Sequence, residues 1–193
     1  MRRLLSSFLS RALTRVAVRQ AMRSGLALTT AASVSFGASI KDLTDELPTR
    51  SEYHIRDLSK VDAVIWHHSA TKGQTIRNLA EFHTEVKKWP GIGYHFAIGW
   101  DGTVYKMNDP NRLTYHAQGH NSHSIGVVLV GNYHDLELSP EMKEKIMAMN
   151  EYLRDEYGVY RVMWHGQTKA TLCPGKYAID FLKGLPNGAD ADS

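Results

Sequence analysis

Ser124-Ile-Gly-Val-Val-Leu-Val130 is an almost uninterrupted apolar run, closed by Gly131. A run of this length and composition fits a strand buried on both faces, at the centre of a sheet covered by helices. Working outward, Val61-Asp-Ala-Val-Ile-Trp-His67 is β-branched and apolar enough for a second buried strand. Tyr94–Trp100 and Thr103–Met107 read as strands joined by Asp101-Gly102, a two-residue hairpin turn. That hairpin requires one antiparallel pair, so the sheet is expected to be mixed rather than wholly parallel. Arg161–Trp164 is a further short strand, and it delivers His165.

Helical segments separate these strands. Thr75–Lys88 places Ile76, Leu79, Ala80 and His83 on one face, and Trp89-Pro90-Gly91 stops it. Ser139-Pro140 is an N-cap followed by a first-turn proline. The helix they open carries one apolar stripe, Met142, Ile146, Met149 and Leu153, and Gly158 ends it. Lys176–Lys183 reads as a closing helix. The expected architecture is one α/β domain over residues 46–190, a central mixed β-sheet flanked by helices, preceded by a basic N-terminal extension over residues 1–45. There is no internal repeat, no phosphate-cradling glycine loop and no CxxC pair.

The chemistry concentrates at strand ends. His165 and Cys173 bound a tight polar loop, His-Gly-Gln-Thr-Lys-Ala-Thr-Leu-Cys, followed by Pro174-Gly175. Far upstream, the apolar run from Val61 ends in His67-His68-Ser69. An imidazole and a thiol on one loop need one more nitrogen to make a three-donor zinc site with an open fourth position, the arrangement of metal-assisted hydrolysis. His67 and His68 compete for that role, since strand neighbours point to opposite faces and only one can face the cleft. Other readings stand beside this one. Cys173 could be a small buried hydrophobe or a thiol nucleophile paired with His165, although a loop position before Pro174 lacks the setting that lowers a thiol pKa. His83 and His95 read as packing residues.

Cys173 is the sole cysteine of the 193 residues, so no disulfide can form within the chain. The formal charge of +3 is unevenly spread. Residues 1–41 hold seven basic residues and no acidic one, leaving a net −4 for the remainder. A mildly acidic body has no footprint for nucleic acid. Residues 1–23 form an arginine-bearing amphipathic stretch and residues 24–40 before Lys41 are uncharged. An export signal or signal anchor, a transit-like address and a plain surface extension all fit this pattern, and membrane contact through residues 1–40 is one expectation.

Five stretches, in order, resemble the zinc-dependent N-acetylmuramoyl-L-alanine amidases, the group that includes phage amidase endolysins and peptidoglycan recognition proteins. They are Ile65-Trp-His-His-Ser-Ala-Thr71, Gly91-Ile-Gly-Tyr-His-Phe96, Trp100-Asp-Gly-Thr-Val-Tyr105, His116-Ala117 through Asn121 to Ser124-Ile-Gly-Val127, and His165 through Cys173-Pro-Gly175. The resemblance implies the fold of that family, one Zn²⁺ held by His67, His165 and Cys173, and hydrolysis of the amide between N-acetylmuramic acid and L-alanine. It implies that Tyr94 lies beside the metal. Thr171 falls at a position that is lysine in some phage members and threonine in catalytic recognition proteins, and it is taken with Tyr94 as catalytic. His116 and Asn121 are expected to line the glycan–peptide groove, with a turn-stabilising Asn121 as the alternative. Peptidoglycan is the expected partner, for a monomer acting in the bacterial cell envelope or periplasm or as a secreted lysin, including one released by a phage. A non-catalytic peptidoglycan-binding module is the alternative, and retention of Cys173 counts against it, because members that only bind characteristically lack that ligand.

Overall fold

The structure is a computed structural model that describes residues 31–185. At its centre is a six-stranded sheet built from β1 (Lys41–Asp42), β2 (Ala63–His68), β3 (Phe96–Ile98), β4 (Val104–Lys106), β5 (Ser124–Leu129) and β6 (Arg161–Trp164), in the spatial order β1-β4-β3-β5-β2-β6. The β3–β4 hairpin is antiparallel and every other neighbouring pair runs parallel, giving the expected mixed sheet. Its turn is set by Gly102 at φ 74° and by Asp101 Oδ1, which accepts from the Thr103 N–H at 3.0 Å.

The expected first hairpin strand, from Tyr94, begins instead at Phe96. The His95 carbonyl accepts from both Met107 and Asn108 N–H, and the Tyr94 carbonyl is taken by Asn108 Nδ2 at 2.8 Å, so the ladder is broken there. The helix expected over residues 75–88 is also divided. α2 (Ile76–Glu81) is capped by Thr75, whose hydroxyl accepts from Asn78 N–H. The chain then widens into a π turn over Phe82–Val86, where the successive residues His83 and Thr84 are both buried.

Two elements fall inside the segment assigned to the extension. α1 (Ala31–Ser39) packs on α3 (Pro140–Tyr157), with the Phe36 and Tyr152 rings 5.8 Å apart, and β1 adds an edge strand beside β4. Packing against the body therefore reaches back to residue 31, and two residues of β1 carry no periodicity that could have announced it. The amphipathic stretch over residues 1–23 lies outside the described residues. Among the described residues, no helix is long and apolar enough to cross a membrane.

Strand alternation divides the sheet into two unlike faces. One carries Val64, Trp66, Phe96, Ile98, Ile125, Val127, Leu129, Val162 and Trp164, packed under α3 and α4 (Lys176–Lys183) in the main core. α3 starts at Ser139, whose Oγ accepts from Met142 N–H at 3.1 Å, and ends at Gly158 in the left-handed region, φ 68°. Its stripe of Met142, Ile146, Met149 and Leu153 is fully inside. The other face carries small residues, Ala63, Ala97 and Gly126, with Ile65 and Val128 between them, and it is there that the histidines gather.

Ile146 is wholly buried on α3, whereas its neighbour Met147 is 47% exposed. Ile146→Ala is expected to lower the unfolding free energy by about 2–5 kcal/mol, and Met147→Ala by no more than about 0.5 kcal/mol. Urea denaturation of the two variants checks the contrast; equal losses would mean that α3 packs by another face.

Candidate metal centre

β2 and β6 are parallel neighbours in a register that pairs Trp66 with Trp164, so the next residue of each strand, His67 and His165, emerges on the same face. Their ring centroids are 4.5 Å apart. His67 is wholly buried. His68 turns the other way, its Nδ1 facing the Tyr133 N–H at 3.3 Å, so the choice left open between the two neighbours falls to His67. His165 opens a 3₁₀ turn, His165–Gln167, that Gln167 Oε1 anchors by accepting from Trp164 N–H at 3.0 Å.

The loop then folds back on itself. Gly166 N–H donates to the Cys173 carbonyl at 2.9 Å, and a Cβ on Gly166 would come within 2.8 Å of the Thr171 carbonyl. Gly175, at φ 100°, lies flat against the Tyr133–His134 backbone, where any side chain would clash at 2.3 Å. Held this way, Cys173 Sγ lies 3.8 Å from His67 Nδ1 and 3.4 Å from the His68 backbone nitrogen.

The donor atoms of His67, His165 and Cys173 all lie within 4.8 Å of one another. Zinc bonds of about 2.3 Å to sulfur and 2.0–2.1 Å to nitrogen, at tetrahedral angles, put a sulfur and a nitrogen donor roughly 3.6 Å apart. The observed 3.8 Å between Cys173 Sγ and His67 Nδ1 matches this. Two imidazoles and one thiol form a borderline-soft donor set that suits zinc and disfavours magnesium or calcium. The residues present fit the ion.

Electrostatics prepare the two nitrogen donors. Burial holds His67 well below the usual imidazole pKa, helped by His116, His165 and His68; burial and then Lys169 lower His165. Both rings are therefore neutral at pH 7, with a lone pair free. Burial pushes the Cys173 thiol up to about 11, against a small opposing contribution from the His68 N–H. Without a cation Cys173 is a protonated thiol near neutrality, the reverse of an activated nucleophile, which weakens the thiol-protease reading.

Tyr94 enters this cluster from the segment before β3, its ring 5.1 Å from that of His67 and 5.6 Å from that of His83. Burial first, and the neighbouring Cys173 second, raise its pKa far above neutrality, so its hydroxyl remains a donor. Thr171 stands in the ligand loop, where its Oγ1 accepts from Cys173 N–H at 3.3 Å. His83 is a packing residue, stacked on Trp89 at 4.7 Å and accepting from Gly93 N–H through Nδ1.

The two residues expected to line a groove, His116 and Asn121, are both held by bonds within the protein. His116 is only 6% exposed and sits beneath His67, with His67 Nε2 3.2 Å from its Nδ1 and Ser124 Oγ 3.4 Å from its Nε2. Both ring nitrogens therefore have partners inside the protein. Asn121 takes the turn-stabilising alternative: its Oδ1 accepts from Ala117 N–H at 2.7 Å. Sequence reasoning also passed over Arg56, a buried guanidinium that donates to the backbone carbonyls of Pro110, Asn121 and Ser124 and thereby ties the 110–124 loop to β5. Nothing in the sequence sets it apart from its neighbours Arg50 and Lys60.

This geometry belongs to a known group. Residues 57–176 match the family profile for N-acetylmuramoyl-L-alanine amidase. The chain is 34% identical over 134 residues to peptidoglycan-recognition protein SC1a of Drosophila melanogaster, covering 62% of this chain and 71% of that protein. It is 29% identical over 125 residues to an N-acetylmuramoyl-L-alanine amidase of Mus musculus, covering 61% of this chain and 23% of that much longer protein. Among solved structures, the endolysin amidase LysCS from Clostridium intestinale superposes with a TM-score of 0.64 at 25% identity, over 74% of this chain and 91% of its own. With the profile matched over more than half of its length, the chain belongs to the N-acetylmuramoyl-L-alanine amidase family.

Proposed function

We propose that the protein is a zinc-dependent peptidoglycan hydrolase that cleaves the amide joining N-acetylmuramic acid to the L-alanine of the stem peptide. The observation that carries this reading is the convergence of three donors, His67, His165 and Cys173, within 4.8 Å. Three protein donors, rather than the four of a structural site, leave a coordination position for reaction. Zinc bound there would supply a water acidified to a pKa of about 7 and a Lewis acid for the scissile carbonyl.

The residues of the chain divide the remaining work. Neutral His67 and His165 with a Cys173 thiolate leave the loaded site about one positive charge, which favours an anionic transition state. Tyr94, held protonated, donates a hydrogen bond to the carbonyl oxygen as negative charge grows on it. Thr171 uses its oxygen as acceptor for Cys173 N–H, which leaves its hydroxyl proton to orient water or substrate. Hydrolysis consumes one water, breaks the C–N bond and yields a lactyl carboxylate and a free L-alanine amine.

Peptidoglycan as partner, a lytic role, action as a monomer, and a place in the bacterial envelope or outside the cell belong to the same proposal. The names of the relatives, amidases, an endolysin and recognition proteins, support the target. The second reading, a binder without turnover, is supported by the recognition-protein relatives.

Purified sacculi separate the two. The zinc-loaded chain is expected to release new L-alanine amino termini, to lose that activity with a chelator and to regain it with Zn²⁺. Cys173→Ser is expected to lose at least about 100-fold in activity together with its tightly bound metal. No release from sacculi by a zinc-loaded wild type would favour the binder, and a fully active, metal-free Cys173→Ser would end the hydrolase reading.

Metal binding should carry a pH signature. At pH 7–8 both imidazoles are neutral, because burial holds them below the usual imidazole value, while the Cys173 thiol, pushed up to about 11, still holds its proton. Binding then displaces one proton, so apparent zinc affinity is expected to rise about tenfold per pH unit over this range. Competition titrations at pH 7.0, 7.5 and 8.0 measure the slope; a hundredfold rise per unit would show that one of the imidazoles is also protonated.

A further inference from the structure

We propose that His116 is a positioning residue for the metal ligand His67: by accepting a hydrogen bond from His67 Nε2–H, it fixes the tautomer that turns the Nδ1 lone pair toward the ion. This rests on the metallo-amidase reading above and adds to it a residue outside the three metal donors.

The hydrogen-bond polarity can be traced from one end. Ser124 Oγ is 2.7 Å from the His120 carbonyl, so its hydroxyl proton is committed there, because a carbonyl can only accept. Ser124 Oγ is then left as an acceptor toward His116 Nε2 at 3.4 Å, which places the His116 proton on Nε2. A neutral imidazole carries one proton, so His116 Nδ1 has a lone pair, and it lies 3.2 Å from His67 Nε2. His67 must therefore donate through Nε2, and its remaining lone pair is on Nδ1, the nitrogen 3.8 Å from Cys173 Sγ. Traced from Ser124, the links run in one direction, and they end at the His67 nitrogen nearest Cys173 Sγ.

The ring that makes this contact cannot drift. His116 lies over Gly126, where a Cβ would come within 2.5 Å of its Cγ, so the absence of a side chain on that residue of β5 creates the seat. His95 closes another side, its ring 5.8 Å from that of His116 at 75°. The His67 and His116 rings meet edge-on, at 5.3 Å and 89°, the orientation an in-plane N–H···N bond between them allows. Metal-bound histidines usually give their second N–H to a carboxylate or a carbonyl. Here a second imidazole does so, which makes the ligand's orientation depend on the neighbour's own tautomer.

The test is zinc affinity in the full chain, by chelator competition, for wild type, His116→Phe and His116→Asn. Phe fills the seat without an acceptor, and its affinity is expected to fall about 10–100-fold. Asn can set an oxygen near the place of Nδ1, so its affinity is expected to lie clearly between those of Phe and wild type. Histidine ¹⁵N–¹H correlation spectra of the zinc-loaded wild type are expected to show His67 bound through Nδ1 with the proton on Nε2. Affinity of His116→Phe within twofold of wild type, or His116→Asn no better than His116→Phe, would overturn the assignment. Should His116→Phe fail to fold, the wild-type spectrum still decides, since binding through His67 Nε2 contradicts the proposed chain. A wild type that binds no zinc would defeat the hydrolase reading itself, whereas tight zinc binding indifferent to His116 would defeat this inference alone.

Discussion

The parallel register of β2 against β6 is the constraint on which the centre depends. With Trp66 opposite Trp164, the two strands run out together and deliver His67 and His165 side by side on one face. Adjacent strands lie about 4.8 Å apart, and the two imidazole centroids are separated by 4.5 Å, so strand spacing alone accounts for their separation. No loop has to search for this pairing. A slip of one residue in β2 would send His67 to the α3 face and bring His68 round in its place. The apolar residues that resist the slip are Val64 and Trp66, both inside the main core, with Trp66 Nε1 further bonded to Asn150 of α3 at 3.1 Å.

The two faces of the sheet do different jobs, and their residue sizes show it. Large side chains under α3 and α4 supply the burial that stabilises the domain. On the opposite face Ala63, Ala97 and Gly126 forgo that contribution and leave space for rings. The space is filled by His95 and His116, both buried, and burying an imidazole is tolerable when it is neutral and its nitrogens have partners. His95 meets this condition: its Nδ1 accepts from Gly126 N–H at 3.0 Å while Nε2 faces the Arg112 carbonyl at 2.9 Å. Burial keeps His116 neutral too, its pKa pushed down to about 3, with Arg56 adding to the effect. The polar layer is thus a designed interior, with the bulky face carrying the fold.

What could be read in the sequence follows from where the determinants lie. Ser139, Pro140 and Gly158 act within a turn of the helix they bound, and the stripe from Met142 to Leu153 has one period, so α3 was legible to the residue. β6 and α4 were equally local. Of the proposed metal donors, His165 and Cys173 stood out by bounding one polar loop, while His67 was separated from His68 only by the register of the family resemblance. The remaining features are set by distant contacts. β1 pairs with the edge that β4 offers, and the π turn carries His83 onto Trp89. His116 was assigned to a groove from the family resemblance, and its burial could not be read from the sequence, because loop residues have no period from which to deduce a face. Its burial depends on Gly126 and on Arg56 drawing the loop inward, neither of which is visible from residue 116.

Two donors on strand ends and one on a loop is also an unequal division of rigidity. His67 and His165 are carried by the sheet, but Cys173 reaches the same point only because the loop is closed at both ends. Gly166 N–H binds the Cys173 carbonyl at one end, and Gly175 lies against Tyr133 and His134 at the other, where Tyr177 N–H also meets the Tyr133 carbonyl at 3.1 Å. Neither glycine accepts a side chain in that place, so the loop's path is fixed by backbone contact rather than by the thiol. A protonated Cys173 then contributes little to holding the loop, and the site is shaped before any ion arrives. On the proposed zinc reading, free energy from metal binding would not be spent on ordering the third ligand, which would favour tight capture by three donors.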